Sequence, residues 1–175
     1  MSETPAVAAP AGIDPGTFWR TLGARATGMT VVTAMGPDGP TGFLGLSAAH
    51  VTADPATLLV SIDAKTSALA SVLASRHFAV NYLPAEAAHV ADAFGGKAGL
   101  SGADRFVPAE WTTLATGAPV LKAALGVFDC TVDDVVQRGS ISIVIGTVAG
   151  AASRADGDPL VFFRGKTHAG LAPLG

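Results

Sequence analysis

Apolar positions along the chain follow two periods, and the switches between them mark its elements. Residues 29–35 (MTVVTAM), 57–63 (TLLVSID) and 77–83 (HFAVNYL) are β-branched and aromatic runs that predict strands. Two longer runs, 124–137 (ALGVFDCTVDDVVQ) and 141–152 (ISIVIGTVAGAA), predict the longest strands, and 159–165 (PLVFFRG) a last short one. GPDGP at 36–40 predicts a hairpin turn into residues 42–52, and RGS at 138–140 joins the two long strands.

Helical spacing occupies the gaps. Residues 14–28 (DPGTFWRTLGARATG) predict a helix with Asp14 as cap, Pro15 in the first turn and Gly28 at its end. Phe18, Trp19 and Leu22 then share one side. A second helix is predicted over 65–75, capped by Thr66 or Ser67, and a third over 84–94, ended by Gly95 and Gly96. At least six hairpin-linked strands with short helices between them predict a mainly β fold, a closed or nearly closed antiparallel barrel. A parallel α/β sheet needs strands and helices to alternate throughout, and the C-terminal third does not.

A chain of 175 residues suits one core, so one domain over 14–175 is expected behind a disordered tail, 1–13. The composition, 49% hydrophobic and only 14% charged, predicts burial of surface against a second copy. No apolar run approaches the roughly 20 residues that span a bilayer, so no membrane is expected. MSETPAVAAPAG at the start lacks a basic region before an apolar one, which predicts a cytoplasmic chain without a signal peptide. The lone Cys130 fits a reducing compartment. A net charge of -3 without a basic cluster makes nucleic acid an unsuitable partner.

The obvious chemical motifs fail on inspection. AFGGKAGLSG, 93–102, has Ala98 where a triphosphate-binding loop needs a hydroxyl, Ala91 before it stands where the first glycine belongs, and no G-x-G-x-x-G follows a strand. The histidines at 50, 77, 89 and 168 lack metal-ligand spacing, so no metal is expected. Ser47 in GLSAA lacks the second glycine of a nucleophile elbow. Asp133 and Asp134, adjacent on a strand, are expected on opposite faces and so do not form an acid–base pair. What remains is Thr27, Thr30, Ser47, Thr52, Lys65, Thr66 and Ser67, groups that suit a ligand bringing its own reactivity. In DAKTSAL, 63–69, a lysine and two hydroxyls stand at a helix start that favours an anion, though an ordinary helix cap explains them equally well.

Taken in order, FWRTLGARATGMTVVTA, SAAHVTADPATLLVSID, HFAVNYL, DAFGGKAGLSGADRFVPAEW, GAPVLKAALGVFDCTV, IVIGTV and PLVFFRGKTH resemble the short-chain flavin reductases, the FMN-binding split-barrel family, over roughly residues 16–170. The FGGK…RF…W part is especially similar to members serving pyrimidine degradation. The resemblance implies a homodimeric antiparallel split barrel that uses NADH or NADPH to reduce FMN, with FAD possible, and supplies a partner monooxygenase. No side-chain catalyst is implied, because hydride passes directly between aligned rings.

Carried onto this chain, the resemblance implies a flavin site built from Thr27, Met29, Thr30, Gly45, Leu46, Ser47, Ala48, Val51 and Thr52 at the ring. Asp63, Lys65, Thr66 and Ser67 are implied at the phosphate, with Phe94 and Arg164 as further contacts. Relatives commonly carry a histidine in the 138–146 hairpin on the nicotinamide side; Ile141 stands there, and His50 and His168 are the alternatives. Leu44, Leu46, Ala49 and His50 replace hydroxyls usual in the first segment. These departures leave a second reading open, a flavin-binding or other ligand-binding barrel or subunit with little reductase activity.

Overall fold

The computed structural model describes residues 12–173, so residues 1–11 of the expected tail lie outside the described residues. Helix α1 (Pro15–Leu22) opens the chain; Asp14 caps it by accepting from the Thr17 backbone N–H at 3.0 Å. Strands β1 (Thr27–Gly28), β2 (Thr30–Gly36), β3 (Gly39–Gly45), β4 (Ala49–Ala53) and β5 (Ala56–Asp63) precede helix α2 (Ala68–Ser75). After β6 (His77–Tyr82) come a short 3-10 turn and helix α3 (Ala88–Phe94). Strands β7 (Trp111–Thr113) and β8 (Pro119–Leu121) form a small hairpin. The long hairpin β9 (Gly126–Arg138) and β10 (Ile141–Ser153) follows, then β11 (Leu160–Phe163) and β12 (Lys166–Ala169).

Seven strands form one antiparallel sheet in the order β3-β2-β6-β9-β10-β5-β4. Its two end strands, β3 and β4, are adjacent in sequence yet not ladder partners, so the barrel is split between them. This is the expected architecture. Strand alternation gives the sheet two apolar faces. Val32, Val60, Ile62, Phe78, Val80 and Val144 fill the interior, where α2 adds Val72. Val31, Ala79 and Val127 point outward, under α3 and the 94–111 segment, where Leu160 of β11 joins them.

Buried polar groups tie the hairpin β7–β8 to this frame. The Asn81 side chain donates to Val31 O at 3.1 Å and accepts from Leu121 N–H at 2.8 Å, while Thr33 donates to Pro119 O at 2.5 Å. Asp129, fully buried, accepts from the Thr116 N–H at 2.7 Å and from its hydroxyl. Each group is satisfied, as burial demands.

Several expectations shift. The segment 42–52, expected only to follow a hairpin turn, holds the end of β3 and the start of β4 on either side of Leu46–Ala48. Helix α2 starts later than 65, and neither Thr66 nor Ser67 caps it through a side chain. The start is held instead by Asp63, whose carboxylate accepts from Lys65 N–H at 2.9 Å and whose carbonyl accepts from Thr66 N–H at 2.8 Å. Asp133 and Asp134 are both exposed. The ladder slips between Ile145 and Gly146, leaving Asp133 as the extra residue of a bulge, which interrupts the alternation.

Candidate functional site

The cavity that gathers the expected residues follows from how β1 and β2 leave α1. Gly28 pairs with Val161, and Thr30 pairs with both Gly45 and Tyr82, so the 27–30 stretch passes from the small sheet β1-β11-β12 into the barrel. There it walls a cavity of about 260 Å³ together with Arg25, Leu46, Ala48 and Tyr82. A second cavity of about 110 Å³ shares Arg25, Thr27 and Leu46 and is closed by Trp19, Leu22 and Phe162. Ala48 and Tyr82 also pack on the interior cluster, which places the larger cavity at an open end of the barrel.

Hydroxyls near this cavity are mostly committed. Thr30 donates to Gly45 O at 2.8 Å, which stitches β2 to the end of β3. Ser47 donates to Ser61 O at 3.1 Å and accepts from Ser61 N–H at 3.2 Å, so its side chain takes the place of a strand partner for β5. Thr52 closes a local turn with Asp54. What the 46–48 connection leaves open is its backbone: among the hydrogen bonds of the described residues, the N–H groups of Leu46, Ser47 and Ala48 donate to no protein acceptor.

The segment expected at the phosphate continues the same strip. Asp63 lies two residues beyond Ser61 on β5, roughly 7 Å along an extended chain. Its carboxylate is occupied by Lys65 N–H and by the Ser140 hydroxyl at 3.3 Å. Lys65 is exposed and forms no ion pair among the described residues, which leaves its ammonium for an external anion. Ile141 pairs with Asp63, so the nicotinamide-side position of the hairpin abuts the phosphate segment.

Other expected residues lie apart. Phe94 is a core residue, 4% exposed, in a cluster with Phe106 at 4.9 Å and Trp111 at 5.7 Å between ring centroids. It faces the outer core instead of the cavity, because α3 turns that side toward β3. Met29 is likewise buried in the outer core. His50, Val51 and Thr52 stand on the exposed edge strand β4. Arg164 sits in the β11–β12 turn with its guanidinium 5.0 Å from the Phe163 ring centre, and His168 is exposed on β12. Sequence reasoning missed Arg25 and Tyr82. The alternation of Phe78, Val80 and Tyr82 on one face of β6 was the available signal, since it brings a phenol to the strand's end.

A larger cavity, about 570 Å³, lies elsewhere, between the start of α3, residues 107–110 and the end of β8. Its rim mixes Glu86, His89, Glu110 and Lys122, and none of the expected residues lines it. Among the described residues no cluster of potential metal ligands occurs, and no helix is long and apolar enough to cross a membrane.

The family model of the flavin reductase like domain matches residues 22–170. The chain belongs to that family. It is 34% identical over 161 residues to the FMN reductase (NADH) RutF of Enterobacter sp. strain 638, covering 92% of this chain and 97% of that protein. The styrene monooxygenase flavin reductase SMOB of Pseudomonas putida S12 superposes with a TM-score of 0.79 at 26% identity, over 90% of this chain and 99% of that one. The NADH:FAD oxidoreductase SgcE6 of Streptomyces globisporus C-1027, solved with NAD and FAD fragments, gives a TM-score of 0.82 at 25% identity, over 94% and 98%. The family resemblance and the split-barrel expectation are therefore both borne out.

The site fits a flavin on its own chemistry. A flat ring edged with carbonyls and ring nitrogens matches the unpaired backbone N–H groups of 46–48 beside a wall that includes Leu46, Ala48 and the Tyr82 ring, and an anionic tail matches Lys65.

Proposed function

We propose that the chain is an NADH-dependent flavin reductase that reduces FMN in the barrel-end cavity and supplies the reduced flavin to a partner monooxygenase. The observation that carries the site assignment is the strip of unpaired donors at Leu46–Ala48 beside the 27–30 wall, followed along β5 by the free Lys65. The partner rests on the likeness to SMOB, and the flavin and nicotinamide on the likeness to RutF and SgcE6.

Reduced nicotinamide supplies the hydride and the flavin ring accepts it, so the protein's part is alignment. The backbone N–H groups of 46–48 hold the acceptor edge of the ring. Gly45 lets the end of β3 close on β2 beside them, since a Cβ there would lie 3.1 Å from Thr30 Oγ1 and from Val32 Cγ2. Lys65, with the hydroxyls of Thr66 and Ser67, holds the phosphate. Thr27 and Leu46 border both cavities and so separate the ring from the space under Trp19.

Homodimer formation is part of the proposal. Phe18, Trp19 and Leu22 are 48%, 66% and 40% exposed, and α1 buries none of its residues in this chain. An apolar stripe so uncovered fits a second copy.

Anaerobic stopped-flow mixing of the protein with FMN and NADH tests the reductase. Flavin bleaching well above the protein-free rate is expected; bleaching at the protein-free rate rejects it.

A further inference from the structure

Tyr82 ends β6 between Thr30 of β2 and Gly126 of β9, its partners in the two ladders. Its ring meets Phe128 edge to face, with centroids 6.1 Å apart and planes at 79°. Gly126 lies beneath it, where a Cβ would stand 3.6 Å from Tyr82 Cδ2. The phenol is thus fixed on one side by the barrel interior, and on the other it lines the 260 Å³ cavity.

The hydroxyl sets this wall residue apart. Among the described residues, Tyr82 donates no side-chain hydrogen bond, whereas the Thr30 hydroxyl in the same wall is committed to Gly45 O. The hydroxyl is not sealed inside the barrel, so it is free to donate to a ligand in the cavity that its residue lines. Burial, and then the neighbouring Cys130, push its pKa above the ordinary tyrosine value, so it stays protonated and a donor at neutral pH.

We propose that Tyr82 is a ring-positioning residue for the bound flavin: its phenol touches the isoalloxazine, and its hydroxyl donates to a carbonyl or nitrogen acceptor of that ring. This rests on the flavin reading of the cavity. The contact is with the ring and not the phosphate, because the phosphate segment begins at Asp63 on β5, a different strand. Two consequences separate it from plain packing. Losing the hydroxyl weakens FMN and riboflavin alike, and an electron-rich phenol against the ring quenches flavin emission, which a phenylalanine does not do.

The test is a titration of FMN and of riboflavin followed by flavin fluorescence, comparing Trp19→Phe with Trp19→Phe/Tyr82→Phe. The Trp19 exchange removes the indole beside the neighbouring cavity as a competing quencher. The expected result is a roughly three- to tenfold rise in Kd for both ligands on loss of the hydroxyl, as for one net hydrogen bond. A brighter bound flavin and an unchanged melting temperature should accompany it. Unchanged Kd and emission overturn the role of Tyr82 while leaving flavin binding standing, as does weakening confined to FMN. Wild-type protein that leaves the emission of both flavins unaltered overturns the flavin reading itself, and this inference with it.

Discussion

Two regions carry the densest motif text, the 94–111 segment and the strip formed by residues 25–30, 45–48 and 63–67, and the fold uses them for opposite purposes. In the first, Phe94, Phe106 and Trp111 stack in one cluster, and the Trp111 indole N–H donates to Phe106 O at 2.9 Å. Arg105 binds Leu100 O at 3.1 Å and reaches Gly42 O at 3.5 Å, tying the glycine-rich loop to β3. The aromatic rings and the Arg105 guanidinium are directed inward there, while Lys97 and Glu110 pair at the surface with Asp92 and Lys122. In the second region the side-chain hydroxyls of Thr30 and Ser47 are also used internally, yet backbone donors and Lys65 are left over, as is the phenol of Tyr82, which lines the same cavity. A family signature therefore marks what the fold must keep, and only unused hydrogen-bonding capacity separates a binding wall from a brace.

The sharpest way to break this contrast is to disturb the first region and watch the second. At Gly42 a Cβ would lie 2.8 Å from Phe94 Cε1 and 2.9 Å from Val32 O, too close for the packed ring to yield freely. Gly42→Ala is expected to cost roughly 1–3 kcal/mol of stability, as overpacking does, and so to lower Tm by several degrees. Cys130 offers a second readout, because it is fully buried and burial, with Asp129 and Asp133, pushes its thiol up to about 12. Its reaction with a thiol reagent then requires opening of the barrel, so the variant should label faster. The ratio of FMN to riboflavin affinity should stay as in the wild type; a changed ratio would place the 94–111 segment at the ligand.

Much of this division was legible in advance, and the part that was not has a physical cause. The strands at 29–35, 77–83, 124–137 and 141–152 were readable because β-branched runs between turn residues have few other uses. The short strands β7 and β8 escaped, since PVL is held by the side chains of Asn81 and Thr33, and WTT by pairing with PVL, rather than by their own pattern. Phe94 was expected at the cofactor because it belongs to a shared motif, and a motif does not say which way a helix faces. Ser47 was read as a ligand hydroxyl, but its use depends on Ser61, 14 residues away, and no local pattern encodes that pairing.

Next in size is the effect at Lys65, which sharpens the second region alone. Its ammonium has no protein partner among the described residues, so Lys65→Ala should leave Tm unchanged. An ammonium–phosphate contact at an exposed position is worth about tenfold in affinity. FMN should weaken by roughly that factor and riboflavin not at all, measured by fluorescence titration. Equal weakening of both ligands would move the phosphate away from the start of α2.

The smallest effect is the most discriminating, because Ser47 lies within the binding strip yet behaves as a brace. Its hydroxyl makes two bonds, both to the backbone of Ser61, and its exposure lets water replace them when they are lost. Ser47→Ala is therefore expected to cost about 0.5–1.5 kcal/mol of stability. Flavin affinity should fall only about twofold, equally for FMN and riboflavin, since the 46–48 donors loosen but remain. The opposite pattern, a tenfold or larger loss of flavin affinity at constant Tm, would show the hydroxyl turned toward the ring. In that event the bond to Ser61 gives way when ligand arrives, and brace and binding wall become two states of one side chain.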